Sequence, residues 1–131
     1  VFGPGEPLAS GRCFTDFIHQ AMETRRIQVN GSGKQVRSFC YLSDFVCGLL
    51  HVLLDGKSGV YNMGNEDNVC SILELARQIA EIAGNADVIG PLSTDSQADS
   101  FVPDPTKLRQ LGWRPQVNLQ ECIRRCMNSY Q

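Results

Sequence analysis

The chain has 131 residues, 42% of them hydrophobic and 20% charged, with a formal net charge of −2. This is ordinary composition for one globular domain, and interspersed acids and bases exclude the basic patch or stripe that a nucleic-acid or membrane surface needs. No apolar run approaches the roughly 20 residues that span a bilayer, and no signal-type segment opens the chain, so a soluble cytoplasmic protein is expected.

VFGPG, at the start, reads as the end of a strand turning into a loop. Because it begins at Val1 without an initiator Met, the chain is expected to be a piece of something larger. Phe14, Phe17, Ile18, Ala21 and Met22 then recur at helical spacing, predicting a helix from about Arg12 to Thr24. Ile27 to Val29 is a short strand candidate ended by Asn30-Gly31. Val36 to Leu42 alternates, with Val36, Ser38, Cys40 and Leu42 on one side and Arg37, Phe39 and Tyr41 on the other.

Ser43-Asp44 offers side-chain oxygens to cap a helix whose pairs Phe45/Val46, Leu49/Leu50 and Leu53/Leu54 run to Gly56, and this helix is expected to be deeply buried. Val60 to Met63 is a further apolar strand candidate. Ser71 and Glu74 have the spacing of a capping box, opening a helix through Leu75, Ala76, Ile79 and Ala80 that stops at Gly84. Asp87 to Ile89 reads as a strand and Ser93 to Ser100 as a polar loop. Asp104-Pro105 starts a short helix closed by Gly112. Asn118 and Glu121 repeat the capping-box spacing before a helix striped by Leu119, Cys122, Ile123, Cys126 and Met127. Alternating helices and short strands predict an α/β fold.

Six cysteines (Cys13, Cys40, Cys47, Cys70, Cys122, Cys126) lie in these elements without a C-x-x-C pair, and read as reduced, mostly small core residues. Cys122 and Cys126 share a helix face, but no further Cys or His lies near them in sequence, so no metal site is expected. His19 and His51 are lone helical histidines, which usually serve as surface or satisfied core groups.

The most chemically pointed stretch is VNGSGKQVRSF, Val29 to Phe39. A Walker phosphate loop needs a glycine where this chain has Gln28 and a hydroxyl where it has Gln35, and it must open a helix, whereas this turn runs into a strand. The dinucleotide fingerprint G-x-G-x-x-G fails as well, because Gly31 and Gly33 are followed by Val36. These departures exclude a P-loop NTPase and leave a plain β-turn between strands as the simplest reading. Arg37, on an otherwise apolar and aromatic strand, is suited to bidentate contact with a diphosphate.

The order VFGPG, IQVNGSGKQVRSFCYLSD, VYNMGNEDNVCSILELA and VPDPTKLRQLGWRP resembles the C-terminal part of the extended short-chain dehydrogenases that act on nucleotide sugars. That family includes dTDP-glucose 4,6-dehydratases, UDP-sugar 4-epimerases and UDP-glucuronate decarboxylases. The resemblance covers nearly the whole chain. It implies a substrate-binding lobe together with the last elements of a doubly wound, NAD-binding Rossmann fold, whose N-terminal part lies outside this sequence. It further implies an enzyme that oxidises the sugar at C4 with NAD and a Tyr-x-x-x-Lys pair, then proceeds through the 4-keto sugar to dehydration, epimerisation or decarboxylation.

Carried over by position, the resemblance assigns Phe2, Gly3 and Pro4 to the nicotinamide side, Val29 and Gly31 to the nucleotide base, and Arg37 to the substrate diphosphate. A surface strand charge remains the competing reading of Arg37, and simple packing that of Phe2 and Val29. The chain departs from the family in having no Tyr-x-x-x-Lys: Phe45 stands four residues after Tyr41, and Asn65 four after Tyr61. It also lacks the second diphosphate arginine that many relatives carry just before the late Pro-Asp, where it reads Ala98-Asp99-Ser100-Phe101-Val102-Pro103-Asp104. The piece alone is therefore expected to hold NAD poorly and to be inactive. A non-catalytic nucleotide-sugar-binding module is the alternative. The full-length parent is expected to be a homodimer, and the isolated piece to self-associate through Leu49, Leu50 and Leu53.

Overall fold

The computed structural model describes residues 1–8, 10–92 and 99–131. The first helix, α1 (Cys13–Glu23), buries Phe14, Phe17, Ile18 and Ala21, the face its spacing predicted. Strand β1 (Arg26–Gln28) follows, then β2 (Val36–Ser38) and helix α2 (Leu42–Asp55). A 3-10 turn (Glu66–Asn68) leads into β3 (Val69–Ser71) and helix α3 (Ile72–Ile82). Strand β4 (Asp87–Ile89), the short helix α4 (Thr106–Arg109) and helix α5 (Leu119–Ser129) complete the order. The predicted α/β class holds.

β1 pairs in parallel with β4, and β2 pairs antiparallel with β3, so the described residues carry two small sheets. The turn between β1 and β2 therefore does not close a hairpin. The main core lies where α1, α3 and α5 meet, with Ile18, Ile27, Leu75, Ala76, Ile79, Cys122 and Ile123 fully or almost fully covered. A second cluster packs Trp113, Leu108 and Cys40 beneath α2.

Local capping matches the sequence reading at α3, where both halves of the Ser71/Glu74 box form. At α5 only half forms: Asn118 accepts from the Glu121 N–H at 2.9 Å, while the Glu121 carboxylate pairs with Arg125 at 2.7 Å. At α4 the Asp104 carboxylate accepts the Thr106 N–H at 2.9 Å.

Four expectations need correction. α2 starts after Tyr41, with no side-chain cap, because Asp44 faces inward: its carboxylate accepts the Val117 N–H at 3.0 Å. Nor is α2 deeply buried; of its residues only Asp44 and Gly48 are covered, while Leu53 and Leu54 are 78% and 80% exposed. Val60 to Met63 forms no strand among the described residues, since no neighbouring segment offers it a ladder of N–H and C=O partners. The strand expected to reach Leu42 stops at Ser38, and beyond it Tyr41 bridges singly to Phe2. The polar-loop reading of 93–98 lies outside the described residues.

Burial pushes the thiols of Cys40, Cys70 and Cys126 up to about 11 and that of Cys122 to about 12, from an ordinary 9.0; the neighbouring Cys126 adds to the last shift. A raised folded value means that the folded state keeps protons the unfolded chain has released, so the stability contribution is complete below pH 9 and falls as pH rises toward 11. Urea midpoints measured in reductant should drop steadily from pH 9 to pH 11, and a flat profile would contradict the thiols' burial. Asp44→Ala, which strips the buried Val117 N–H of its partner, should destabilise by roughly 1–3 kcal/mol in urea unfolding. An unchanged midpoint would show that the carboxylate does not hold this segment.

Candidate functional site

Arg37 occupies the middle of β2, opposite Cys70 of β3 on one side and bridged to Phe101 on the other. The residue is partly buried, and its guanidinium Nη1 donates to the carbonyls of Val36 at 2.9 Å and Asp99 at 2.5 Å. Those two bonds fix the plane of the fork. Arg37 lines a groove of about 310 Å³ with Ser38 and Phe39 from its own strand, Phe2 from the N-terminal segment, and Arg12 and Cys13 at the start of α1. Two site residues inferred from separate motifs, Phe2 and Arg37, thus share one wall.

Phe2 is 5% exposed and stacks on Phe14 with centroids 3.8 Å apart, with Phe39 and Tyr41 edge-on at 6.1 and 6.0 Å. Its N–H donates to Cys40 O at 3.2 Å, and its carbonyl accepts from Leu42 N at 2.9 Å. The aromatic cluster therefore ties the N-terminal segment to the strand that carries Arg37. Gly3 lies against α2, where a Cβ would come within 2.7 Å of the Leu42 Cβ, so packing by α2 demands the glycine. Gly3 and the exposed Pro4 line a second cleft of about 510 Å³ together with Phe2, Glu6, Arg12 and Leu42.

The other two predicted residues lie outside this groove. Val29 is fully covered and donates its N–H to Ile89 O at 2.9 Å, so in this chain its side chain is core. Gly31 is exposed at φ +68°, with nothing within 4 Å of where a Cβ would stand; the left-handed turn alone requires glycine there. Beside this turn, Gln20, Gln28, Asn30 and Gln35 line a polar cleft of about 230 Å³ that meets the Arg37 groove at Cys13. Burial raises the Cys13 thiol although the Arg37 charge pulls it the other way, so the thiol stays neutral where the two clefts join.

Sequence reasoning missed Arg12, Glu6 and this group of amides. The signal was slight: two opposite charges in the PGEPLASGR loop, and glutamines flanking a glycine turn. Among the described residues no cluster of His, Cys, Asp or Glu is placed to hold a metal ion, and no helix is long and apolar enough to cross a membrane.

Comparison with known proteins adds a decisive observation. Residues 1–64, which contain the whole Phe2–Arg37 groove, match the NAD dependent epimerase/dehydratase family. Over those residues the chain is similar to that family. Its similarity to UDP-glucuronic acid decarboxylase 2 of Arabidopsis thaliana is 35% identity over 123 residues, covering 92% of this chain and 27% of that protein. With UDP-glucuronic acid decarboxylase 1 of Xenopus tropicalis it shares 35% over 134 residues, covering 100% of this chain and 31% of the other. The chain therefore spans about a third or less of the length of these curated relatives.

The fold of family members is recovered as well. A dTDP-glucose 4,6-dehydratase from Bacillus anthracis, solved with NAD, superposes with a TM-score of 0.84 at 21% identity, over 98% of this chain and 41% of that one. The UDP-glucose 4-epimerase of Thermus thermophilus, also solved with NAD, gives 0.81 at 24% identity, over 98% and 43%. At these identities the likeness establishes the α/β fold of the lobe.

Proposed function

We propose that this chain is the C-terminal, nucleotide-sugar-binding portion of an NAD-dependent enzyme that decarboxylates UDP-glucuronate by way of a transient 4-keto sugar. The observation that carries the reading is the groove shared by Arg37 and Phe2. It sets a cation with an oriented hydrogen-bonding fork beside a flat apolar wall, the pairing that a diphosphate next to a planar ring calls for. Decarboxylation is preferred among the family's reactions because the relatives at 35% identity carry that name. A 4,6-dehydratase or 4-epimerase is the second reading, since the groove suits the nucleotide and leaves the reacting sugar carbon to groups outside the chain.

The residues present fit NAD as one wall of its site. Phe2, Gly3, Pro4 and Leu42 give the open 510 Å³ cleft an apolar side, and the sequence given carries no G-x-G-x-x-G fingerprint for the cofactor's phosphates. When bound, the cofactor supplies reversible hydride acceptance at the sugar. This chain's share is to grip the diphosphate through Arg37, keep water from the inner side of the groove with Phe2, Phe14 and Phe39, and hold the base near Gly31. A cytoplasmic location and a homodimeric parent belong to the same proposal.

In the full-length parent, Arg37→Ala should weaken UDP-glucuronate binding by about tenfold or more while leaving NAD affinity nearly unchanged, as read by calorimetry with each ligand. Equal loss of both ligands, or of neither, would remove Arg37 from the diphosphate role. The exposed α2 face, with Leu49 and Leu50 at 45% and 50% exposure and Leu53 at 78%, is in this reading the surface on which the rest of the parent packs. The isolated chain should therefore sediment as dimers or larger species at high concentration, and Leu50→Lys with Leu53→Lys should return it to monomer. A monomeric unmodified chain would contradict that assignment.

A further inference from the structure

A diphosphate spreads several negative charges over its oxygens, and Arg37 commits Nη1 to two backbone carbonyls. The charged side chains lining its groove are Arg37, Arg12 and Glu6. Arg12 stands at the N-cap position of α1 and also borders the adjoining 510 Å³ cleft, so it sits where the two spaces join. Its side chain is 68% exposed and, among the described residues, pairs with Glu6, Nε to Oε1 at 3.3 Å.

Glu6 is far more firmly placed. Its side chain is 16% exposed, Oε1 also accepts the Ser10 hydroxyl at 3.1 Å, and Ser10 is in turn bonded to Thr15 at 2.7 Å. The backbone carbonyl of Glu6 accepts the Tyr130 hydroxyl at 2.6 Å. Glu6 is thus held at its carboxylate by Ser10 and at its backbone carbonyl by Tyr130, while the arginine is the movable partner. An ion pair with so exposed a cation is weak, and a guanidinium prefers a bidentate phosphate to one end-on carboxylate oxygen.

We propose that Arg12 is the second cation of the diphosphate site, and that Glu6 holds it in the ligand-free state by standing in for a phosphate oxygen. Substrate entry exchanges one anion for another: Arg12 turns from the carboxylate to the diphosphate, opposite Arg37. Glu6 then acts as a competitor within the protein, setting affinity without touching the sugar. The inference rests on the nucleotide-sugar reading above and extends it to residues that reading does not use.

The test uses the full-length parent and calorimetry with UDP-glucuronate. Arg12→Gln should weaken binding about tenfold, and Glu6→Gln should strengthen it a few-fold, with both variants keeping the unfolding midpoint within a degree or two of the parent. A loop that merely needs the ion pair for its shape would give the same sign in both variants. Unchanged binding in Arg12→Gln, or weaker binding in Glu6→Gln, overturns the proposal while the parent's own binding keeps the functional reading intact. Absence of any UDP-sugar binding by the unmodified parent would overturn the functional reading, and this inference with it.

Discussion

The backbone of one residue, Val117, organises this lobe. The N–H of Val117 is accepted by the Asp44 carboxylate at 3.0 Å, and its carbonyl is shared by Asn68 Nδ2 at 2.9 Å and Asn65 Nδ2 at 3.3 Å. Asp44 adds its own carbonyl, which takes the Trp113 indole N–H at 2.9 Å, and Asn68 reaches a second carbonyl, that of Phe39, at 3.2 Å. All three side chains are buried, so each unmade bond would cost a desolvated polar group its partner. The result joins the start of α2, the segment before β3 and the approach to α5 at a single point, and it links the Trp113 cluster to the main core.

Placement of the site follows from that junction. With α5 fixed at its start, its far end delivers Tyr130 to the Glu6 carbonyl, and Arg125 comes over the Tyr41 ring at 5.6 Å. Tyr41 in turn bridges to Phe2, and Phe2 stacks into the aromatic cluster behind Arg37. Arg37, partly buried in a groove it lines with Phe2, Phe14 and Phe39, exchanges part of its hydration for carbonyl oxygens. Carbonyl dipoles orient the charge without neutralising it. An anion entering the groove meets that charge with less intervening water than at an open surface, which raises the worth of each phosphate contact.

What the sequence revealed was mostly local. The Ser71/Glu74 box closes within one turn, and the stripe of α1 depends only on helical period, so both could be read from neighbouring letters. Asp44 was misread because its position suggests a cap, whereas its partner lies 73 residues away. The same blindness affected strand pairing: β1 chooses β4 and β2 chooses β3, although β1 and β2 are joined by a glycine turn that suggests a hairpin. The period of α2 was legible, but a four-residue repeat of leucines says that a face is apolar and not what lies against it. In the proposed site, Arg37 was offered by its motif. Arg12 and Glu6 were not, because their meaning depends on the loop folding back under α5.

The apolar face of α2 and the open cleft are two views of one boundary. Leu42, the first residue of α2, lines the 510 Å³ cleft and covers Gly3, while Val46, Leu49, Leu50 and Leu53 continue along the helix into solvent. In the proposed parent, a surface that covers those leucines must also approach Leu42 and so bring its own groups to the rim of the cleft beside Phe2 and Arg12. Completion of the hydrophobic interface and completion of the ligand site would then be the same event. In that reading, a lobe with an oriented cation and an aromatic wall holds one half of the proposed site open on a surface that the rest of the parent would cover.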